Sequence, residues 1–349
     1  MSIVKLLLKW YEINKRDLPW RRDKDPYKVW VSEIILQQTR VSQGTEYYLR
    51  FIKKFPNLES LANSKEEEVL NLWQGLGYYN RAINLHKTSQ NIHKNLKGFF
   101  PQSYEELVKL KGIGDYTASA ISSICFDKYN PVVDGNVLRF ISRLYGIKDS
   151  IDLTVTKKEI KKICNTLIKF ANNPGDFNQA LMEFGSLVCS PFPDCKQCPF
   201  KNKCIARIEN KVDKIPYRTI KKKIKKRYLN YTVFIDNKKR TIIESRKHKD
   251  IWYHLYQFPL IETSQKIHDY ERSTHLQKHI KKFIHSGDIK FLYQKEIVHH
   301  LTHQILMITF FVFDVNSDLK KSINISNLDK HSFPVPINNF IKNLLNQVF

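Results

Sequence analysis

Acidic side chains are the scarce class in this chain. Over 349 residues, 34 Asp and Glu stand against 58 Lys and Arg, a formal net charge of +24. That deficit disfavours cationic partners and favours a polyanion, either nucleic acid or an acidic membrane face. Charge is weak evidence alone, because Lys, Asn and Ile are used heavily throughout, as an AT-rich genome produces. The amino terminus has no long apolar run: Met1 to Trp10 alternates Ile3, Val4, Leu6, Leu7 and Leu8 with Lys5 and Lys9. This pattern suits an amphipathic helix and is too short for a signal-peptide core or a membrane span, so a cytoplasmic protein without a membrane partner is expected. Cysteines number only six, which without a signal sequence argues against a disulfide framework. Cys125 and Cys164 fall singly in apolar helical patterns and read as core. Internal repeats are absent, and the one low-complexity stretch is a lysine tract.

Apolar residues make up 42% of the chain, and its length accommodates two or three domains, each with a core. From Pro26 to about Leu187 they recur at helical spacing, broken by turns such as Phe55-Pro56-Asn57 and Asn173-Pro174-Gly175, which predicts an all-α region. Between 206 and 227 the pattern lapses into a basic tract that includes Lys211, Lys214, Arg218, Lys221, Lys222, Lys223, Lys225, Lys226 and Arg227. It reads as an exposed linker, either merely solvated or tracking a nucleic-acid backbone. Beyond it, Tyr228 to Ile235, Thr241 to Ser245, Ile289 to Val298 and Ile305 to Val315 are rich in β-branched and aromatic residues. With a helical spacing near Ile267 to Ile284, they predict an α+β domain over 228–349.

Two carboxyls carry the chemistry. Asp25 is placed to cap, and Pro26 to open, a helix on which Val29, Trp30, Glu33, Ile34 and Gln37 share one face. Glu33 therefore lies in an apolar stripe, where desolvation raises its pKa as a general acid requires; the alternative is a structural carboxylate paired with Arg or Lys. Asp134, in Val133-Asp134-Gly135-Asn136-Val137-Leu138, precedes a helix and can accept hydrogen bonds from the amides near Asn136 and Val137, which favour its anion. On its own that is ordinary capping chemistry. Together the two suit cleavage through an oxocarbenium ion, one inclined to hold a proton and the other to stay charged.

Gly112-Ile113-Gly114 lies between a helix ending near Leu110 and another beginning near Tyr116, so backbone amides can point at a phosphate in a helix-hairpin-helix. An ordinary αα turn is the alternative, and Asp115 is expected to cap the second helix. Cys189, Cys195, Cys198 and Cys204 follow C-x5-C-x2-C-x5-C with no interleaved His. Only one C-x-x-C pair occurs, within a proline-rich loop, so an iron-sulfur cluster fits better than zinc, the runner-up.

These parts together resemble the helix-hairpin-helix DNA glycosylase superfamily, and their order is similar to adenine DNA glycosylases of the MutY type. Further pieces are Asp17-Leu18-Pro19-Trp20-Arg21, Pro26 to Thr39 with its Gln37-Gln38-Thr39 end, Leu72-Trp73-Gln74-Gly75-Leu76-Gly77-Tyr78-Tyr79, and Phe177-Asn178-Gln179-Ala180-Leu181. The resemblance implies excision of adenine mispaired with 8-oxoguanine or guanine in double-stranded DNA, by a nucleoid-associated monomer carrying one 4Fe-4S cluster. Glu33 would protonate the flipped adenine at N7 and Asp134 would stabilise the sugar cation. Tyr116 and Asn136 would position the reacting groups, and Gly112, Ile113 and Gly114 would hold the DNA backbone. Leu18, Trp20, Arg21 and Gln179 would wall the base pocket, while Gln38 and Tyr78 would enter the stack near the lesion.

The implied architecture is a mainly α catalytic region over 1–205 with its cluster loop at 189–204, then a linker over 206–227 and a Nudix-like 8-oxoguanine recognition domain over 228–349. Within the catalytic region, a six-helix barrel would interrupt a cluster domain that also uses the amino-terminal helix. The last domain lacks a Nudix hydrolase box, so pyrophosphatase activity is not expected. The family's Phe-Ser-His appears as Leu301-Thr302-His303, with Thr302 and His303 as candidate readers of the damaged base. The first cysteine interval is one residue shorter than the family's usual spacing. An endonuclease III-type glycosylase and lyase is the nearest rival, but it needs a nucleophilic Lys where this chain has Tyr116. A non-catalytic DNA-binding or redox-sensing scaffold is the rival from another class.

Overall fold

Short polar side chains start the helices. Ser2 accepts from the Lys5 amide at 3.2 Å, Asp25 from Tyr27 at 2.9 Å, Asp134 from Val137 at 2.7 Å and Asn173 from Asp176 at 2.9 Å. Pro26 and Pro174 follow two of these caps at the first helical position, where a missing N–H costs nothing. The structure is a computed structural model that describes residues 2–219, 224–248, 250–284 and 289–348. Lys221, Lys222 and Lys223 of the basic tract lie outside the described residues. Contacts divide the chain into two units, residues 1–64 with 83–220 and residues 65–82 with 221–349. Among the described residues no helix is long and apolar enough to cross a membrane.

Helices are the regular structure of the first unit, which has no strand among its described residues. Helix Ile3–Asn14 places Val4, Leu7 and Tyr11 in one core with Val137, Phe140, Ile141, Phe177, Leu181 and Phe184, and with Phe200 of the cysteine loop. Phe184 is its hub, with ring centroids 4.6 Å from Phe140, 4.9 Å from Trp10 and 5.0 Å from Phe200. Such pairs add about 0.5–1.5 kcal/mol each beyond area burial. Cys164 is fully buried here, whereas Cys125 is half-buried.

Two local expectations change. The helix before the hairpin is Tyr104–Leu107, and it reaches Leu110 only as turns. The helix after it is Asp115–Phe126, whose cap is Gly114 and not Asp115. As the first helical residue, Asp115 instead accepts from the Tyr104 hydroxyl at 2.5 Å and pairs with Lys161. Residues 206–227, expected to be an exposed linker, are tied down at both ends. Residues 206–208 belong to helix Ile205–Ile208, and Ile215 is fully buried. The Ile215 carbonyl accepts from Arg143 Nε at 2.8 Å, and Lys225–Arg227 already belong to a strand.

In the second unit a mixed sheet runs in the order Leu260–Thr263, Lys225–Asp236, Gln304–Val315, Ile289–His300. Its two central strands are parallel and in continuous register from Lys225 opposite Gln304 to Asp236 opposite Val315; the outer pairings are antiparallel. Both faces of the central strands are buried, which is why they read as nearly unbroken apolar runs. Leu229, Tyr231, Val233 and Phe310 pack under helix Val335–Val348, with Phe340 stacked 3.9 Å from Phe310. Phe234, Phe311 and Phe313 pack under helix Thr274–Phe283.

The expected strand Thr241 to Ser245 is broken into Arg240–Thr241 and Glu244–Ser245, which pair with different partners. The helix expected from Ile267 begins only at Thr274, where Ser273 caps it. Strand Leu260–Thr263 and helix Val335–Val348 complete the domain and were not anticipated.

Candidate active site

Helix Pro26–Leu36 buries Tyr27 and every residue from Val29 to Ile35, Glu33 among them at 7% exposure. Burial pushes the Glu33 carboxyl up to about 7; the Tyr116 hydroxyl and the Arg21 guanidinium favour its anion, and the Asp134 charge opposes it. The carboxyl is thus poised to be half-protonated near neutrality, as the apolar stripe predicted. Tyr116, at the second position of helix Asp115–Phe126, donates to Met182 Sδ at 3.2 Å, and burial keeps its phenol neutral.

Asp134 sits at the N-cap of helix Gly135–Tyr145. One oxygen accepts from the Val137 amide at 2.7 Å and the other from Asn136 Nδ2 at 2.8 Å. Burial raises its pKa above the ordinary value, while those bonds, the Asn136 amide and the Arg139 charge favour the anion. Glu33 has fewer anion-stabilising partners than Asp134, so the proton belongs on Glu33. The structure therefore brings Glu33, Asp134, Tyr116, Asn136 and Arg21 into one neighbourhood of the first unit.

Two residues that sequence reasoning passed over support this arrangement. Glu183, on helix Pro174–Leu187, is 1% exposed and accepts from Arg16 Nε at 2.8 Å and Arg21 Nη2 at 2.9 Å. Burial pushes its carboxyl up, but the two arginines outweigh it and bring the pKa down to about 2. Its signal was the one that exposed Glu33, an acid in an apolar helical stripe. Arg139 donates from Nη2 to Asn136 Oδ1 at 2.9 Å and to the Gly185 carbonyl at 2.6 Å, and from Nε to the Cys189 carbonyl at 2.8 Å. One guanidinium thereby ties the partner of Asp134 to the first cysteine of the loop.

Gly185 makes this close packing possible. A Cβ there would stand 2.7 Å from the Asn136 carbonyl oxygen and 2.8 Å from its carbon. Gly185→Ala is expected to cost about 1–3 kcal/mol of stability, read by denaturant unfolding; an unchanged midpoint would contradict the close approach.

Among the wall candidates, Leu18 and Trp20 are buried at the short helix Pro19–Arg21, and Trp20 meets Tyr48 edge-on at 5.3 Å. Gln179 is half-buried on the helix of Glu183. Gln38 follows the end of helix Pro26–Leu36, exposed, with φ +60°. At the hairpin, Gly112 has φ +80° and a Cβ there would lie 2.7 Å from Asn84 Cβ, so both conformation and space demand glycine. Ile113 is buried and anchors the turn, while Gly114, with open space around it, leads into helix Asp115–Phe126.

Cys189, Cys195, Cys198 and Cys204 line one pocket walled by Phe140, Phe184 and Phe200, with Arg143 and Arg207 beside them. Among the described residues, no three Cys, His, Asp or Glu side chains converge tightly enough to be ligands of one metal ion. The donor chemistry fits an iron-sulfur group: four sulfurs, an apolar wall, and Arg143 Nη1 donating to Cys189 Sγ at 3.6 Å. Arg143 also holds the loop backbone, with Nη1 donating to the Ser190 carbonyl at 2.7 Å.

Tyr78, Thr302 and His303 meet in the second unit. They line a cavity of about 440 Å³ together with Trp252 and Tyr253, and the Tyr78 and Thr302 hydroxyls share a hydrogen bond of 2.9 Å. Tyr78 is 45% exposed and has φ +48°. A bulky residue held in the left-handed region is a mark of functional loops.

Comparison with known proteins supplies matches of three kinds. A family model described as "HhH-GPD superfamily base excision DNA repair protein" matches residues 31–169, and a NUDIX domain model matches residues 230–343. An adenine DNA glycosylase of Buchnera aphidicola subsp. Acyrthosiphon pisum (strain APS) is 36% identical over 352 residues, covering 99% of this chain and 98% of its own. The adenine DNA glycosylase of Homo sapiens is 44% identical over 211 residues, 58% of this chain and 38% of that one. Among solved structures, a thermostable thymine-DNA glycosylase superposes with a TM-score of 0.54 at 28% identity, covering 59% of this chain and 95% of that one.

Proposed function

The chain belongs to the adenine DNA glycosylases, within the helix-hairpin-helix superfamily of base excision DNA repair proteins, and from that membership we propose that it excises adenine mispaired with 8-oxoguanine or guanine. The observation that carries the reading is the buried Glu33 carboxyl, with a pKa of about 7, beside the hydrogen-bonded Asp134.

In this reading the adenine leaves the stack and enters the first unit, where Glu33 gives its proton to N7. The C1′–N9 bond then breaks with its electron pair on the base, which departs neutral. Asp134 stabilises the cation left on the sugar, and water adds to C1′ and gives its proton to the Glu33 carboxylate, which restores the acid. Tyr116 and Asn136 hold the two carboxyls in place. Leu18, Trp20, Arg21 and Gln179 wall the base, and the amides of Gly112–Gly114 grip the phosphate backbone. Tyr116 stands where a lyase would carry its lysine, which supports hydrolysis without strand cleavage. Gln38 and Tyr78 enter the stack, while Thr302 and His303 read 8-oxoguanine. Cys189, Cys195, Cys198 and Cys204 would hold a 4Fe-4S cluster, which when bound supplies iron–thiolate bonds that fix the loop. The protein acts as a monomer.

A single-turnover assay on duplexes carrying A opposite 8-oxoguanine, G or C tests the reading. Adenine release from the first two, with strands intact until alkali treatment, is expected. A borohydride-trappable adduct would establish the lyase instead, and tight duplex binding without base release would establish a scaffold.

A further inference from the structure

One wall of the cavity in the second unit is held in an unfavourable backbone conformation. Trp252 has φ +61° and His254 has φ +69°, and neither is glycine. Bulky residues rarely occupy this region unless their surroundings over-determine them. Those surroundings are a buried arginine pair. Arg227, 8% exposed, grips both oxygens of Asp250 at 3.0 and 2.6 Å. Arg246, also 8% exposed, donates from Nη2 to Asp250 Oδ2 at 2.8 Å and from Nε to the Ile251 carbonyl at 2.8 Å. The His254 amide donates back to the Arg246 carbonyl at 3.0 Å, and its imidazole meets Glu66 at 3.0 Å.

This clamp presents one side chain to the cavity in a set orientation. The Trp252 indole lies 6.0 Å from the His299 ring, in the same cavity as Tyr78, Thr302 and His303. A rigid aromatic face beside hydroxyl and imidazole groups has the chemistry to recognise a planar heterocycle, with its face packed and its edge hydrogen-bonded. Arg227 divides itself between Asp250 and Glu262, and Arg246 between Asp250 and Gln257, so the segment that carries the indole is fixed to the strands and the indole is a positioned group.

We propose that Trp252 determines specificity: its indole is the surface against which the base opposite the excised adenine is read, and Asp250, clamped by Arg227 and Arg246, is its positioning residue. This rests on the reading that the second unit inspects 8-oxoguanine.

The test is the ratio of single-turnover rates on A:8-oxoguanine and A:G duplexes, measured with the full chain. Trp252→Ala is expected to lower that ratio about tenfold, because a base no longer held flat presents its edge less well to Thr302 and His303. Trp252→Phe should restore most of the ratio. Trp252→Leu, which keeps apolar bulk without a stacking face, should not restore it, and Asp250→Asn should lower it by a smaller factor. A folded Trp252→Leu protein with the wild-type ratio overturns the proposal. If the wild type prefers 8-oxoguanine and Thr302→Ala removes the preference while Trp252→Leu keeps it, Trp252 alone is wrong. If the wild type shows no preference, the underlying reading fails and the proposal with it.

Discussion

Glu33→Gln should slow adenine release about a thousandfold while leaving affinity for mismatched duplex nearly unchanged. The amide keeps the shape of the side chain and loses only the transferable proton. Since the acid titrates at about 7, the wild-type single-turnover rate should fall roughly tenfold per pH unit above that value. With Glu33 as the proposed acid the protonated form is the active one, so the loss is expected as pH rises. Stability has the same origin. Folding raises this carboxyl from 4.5 to about 7, so its contribution is fully present below 4.5 and is lost as pH rises to and through about 7. Above neutrality the buried charge costs about 3 kcal/mol. Glu33→Gln should therefore raise the melting temperature at pH 8, with the gain shrinking toward pH 4. Undiminished release by the variant, or a pH-independent wild-type rate, would remove Glu33 as the acid.

Glu183→Ala should be the most destabilising substitution near the site. The carboxylate side chain is 1% exposed and pairs with Arg16 and Arg21. Removing it strands the Arg21 guanidinium, itself 15% exposed, without a counter-charge. Breaking a buried pair in this way costs about 3–5 kcal/mol. Because folding lowers the Glu183 pKa from 4.5 to about 2, its stabilising contribution is present above 4.5 and is lost as pH falls through about 2. Denaturant unfolding at neutral pH measures the effect; a loss below about 1 kcal/mol would mean the pair behaves as a surface ion pair. Arg21 also favours the Glu33 anion, so a released Arg21 should move the alkaline limb of the rate profile as well.

The parts legible in the sequence were those whose causes are local. Asp25, Asp134 and Asn173 act on amides two or three residues ahead, and Glu33 declares itself through the spacing of Val29, Trp30 and Ile34 on its own helix. Central strands in the carboxy-terminal domain were visible for the same reason, with boundaries off by a few residues. Reasoning from composition did less well. A lysine-rich stretch looked like an exposed linker, yet the carbonyls of Ile215 and Tyr217 are held by Arg143 and the Ile151 amide. Asp115 looked like a cap, but Gly114 occupies that position and Tyr104 and Lys161 claim the carboxylate.

From its sequence alone, this protein's helical first part, its two acids, its glycine hairpin and its grouped cysteines are determined, since each depends on neighbours within a turn or two of chain. Only the tertiary structure decided which acid keeps the proton, that Glu183 neutralises arginines 167 and 162 residues away, that residues 65–82 join the carboxy-terminal unit, and that Trp252 and Thr302 line one cavity. Desolvation and charge pairing are set by whatever the fold brings alongside a group, and separation along the chain carries no record of that.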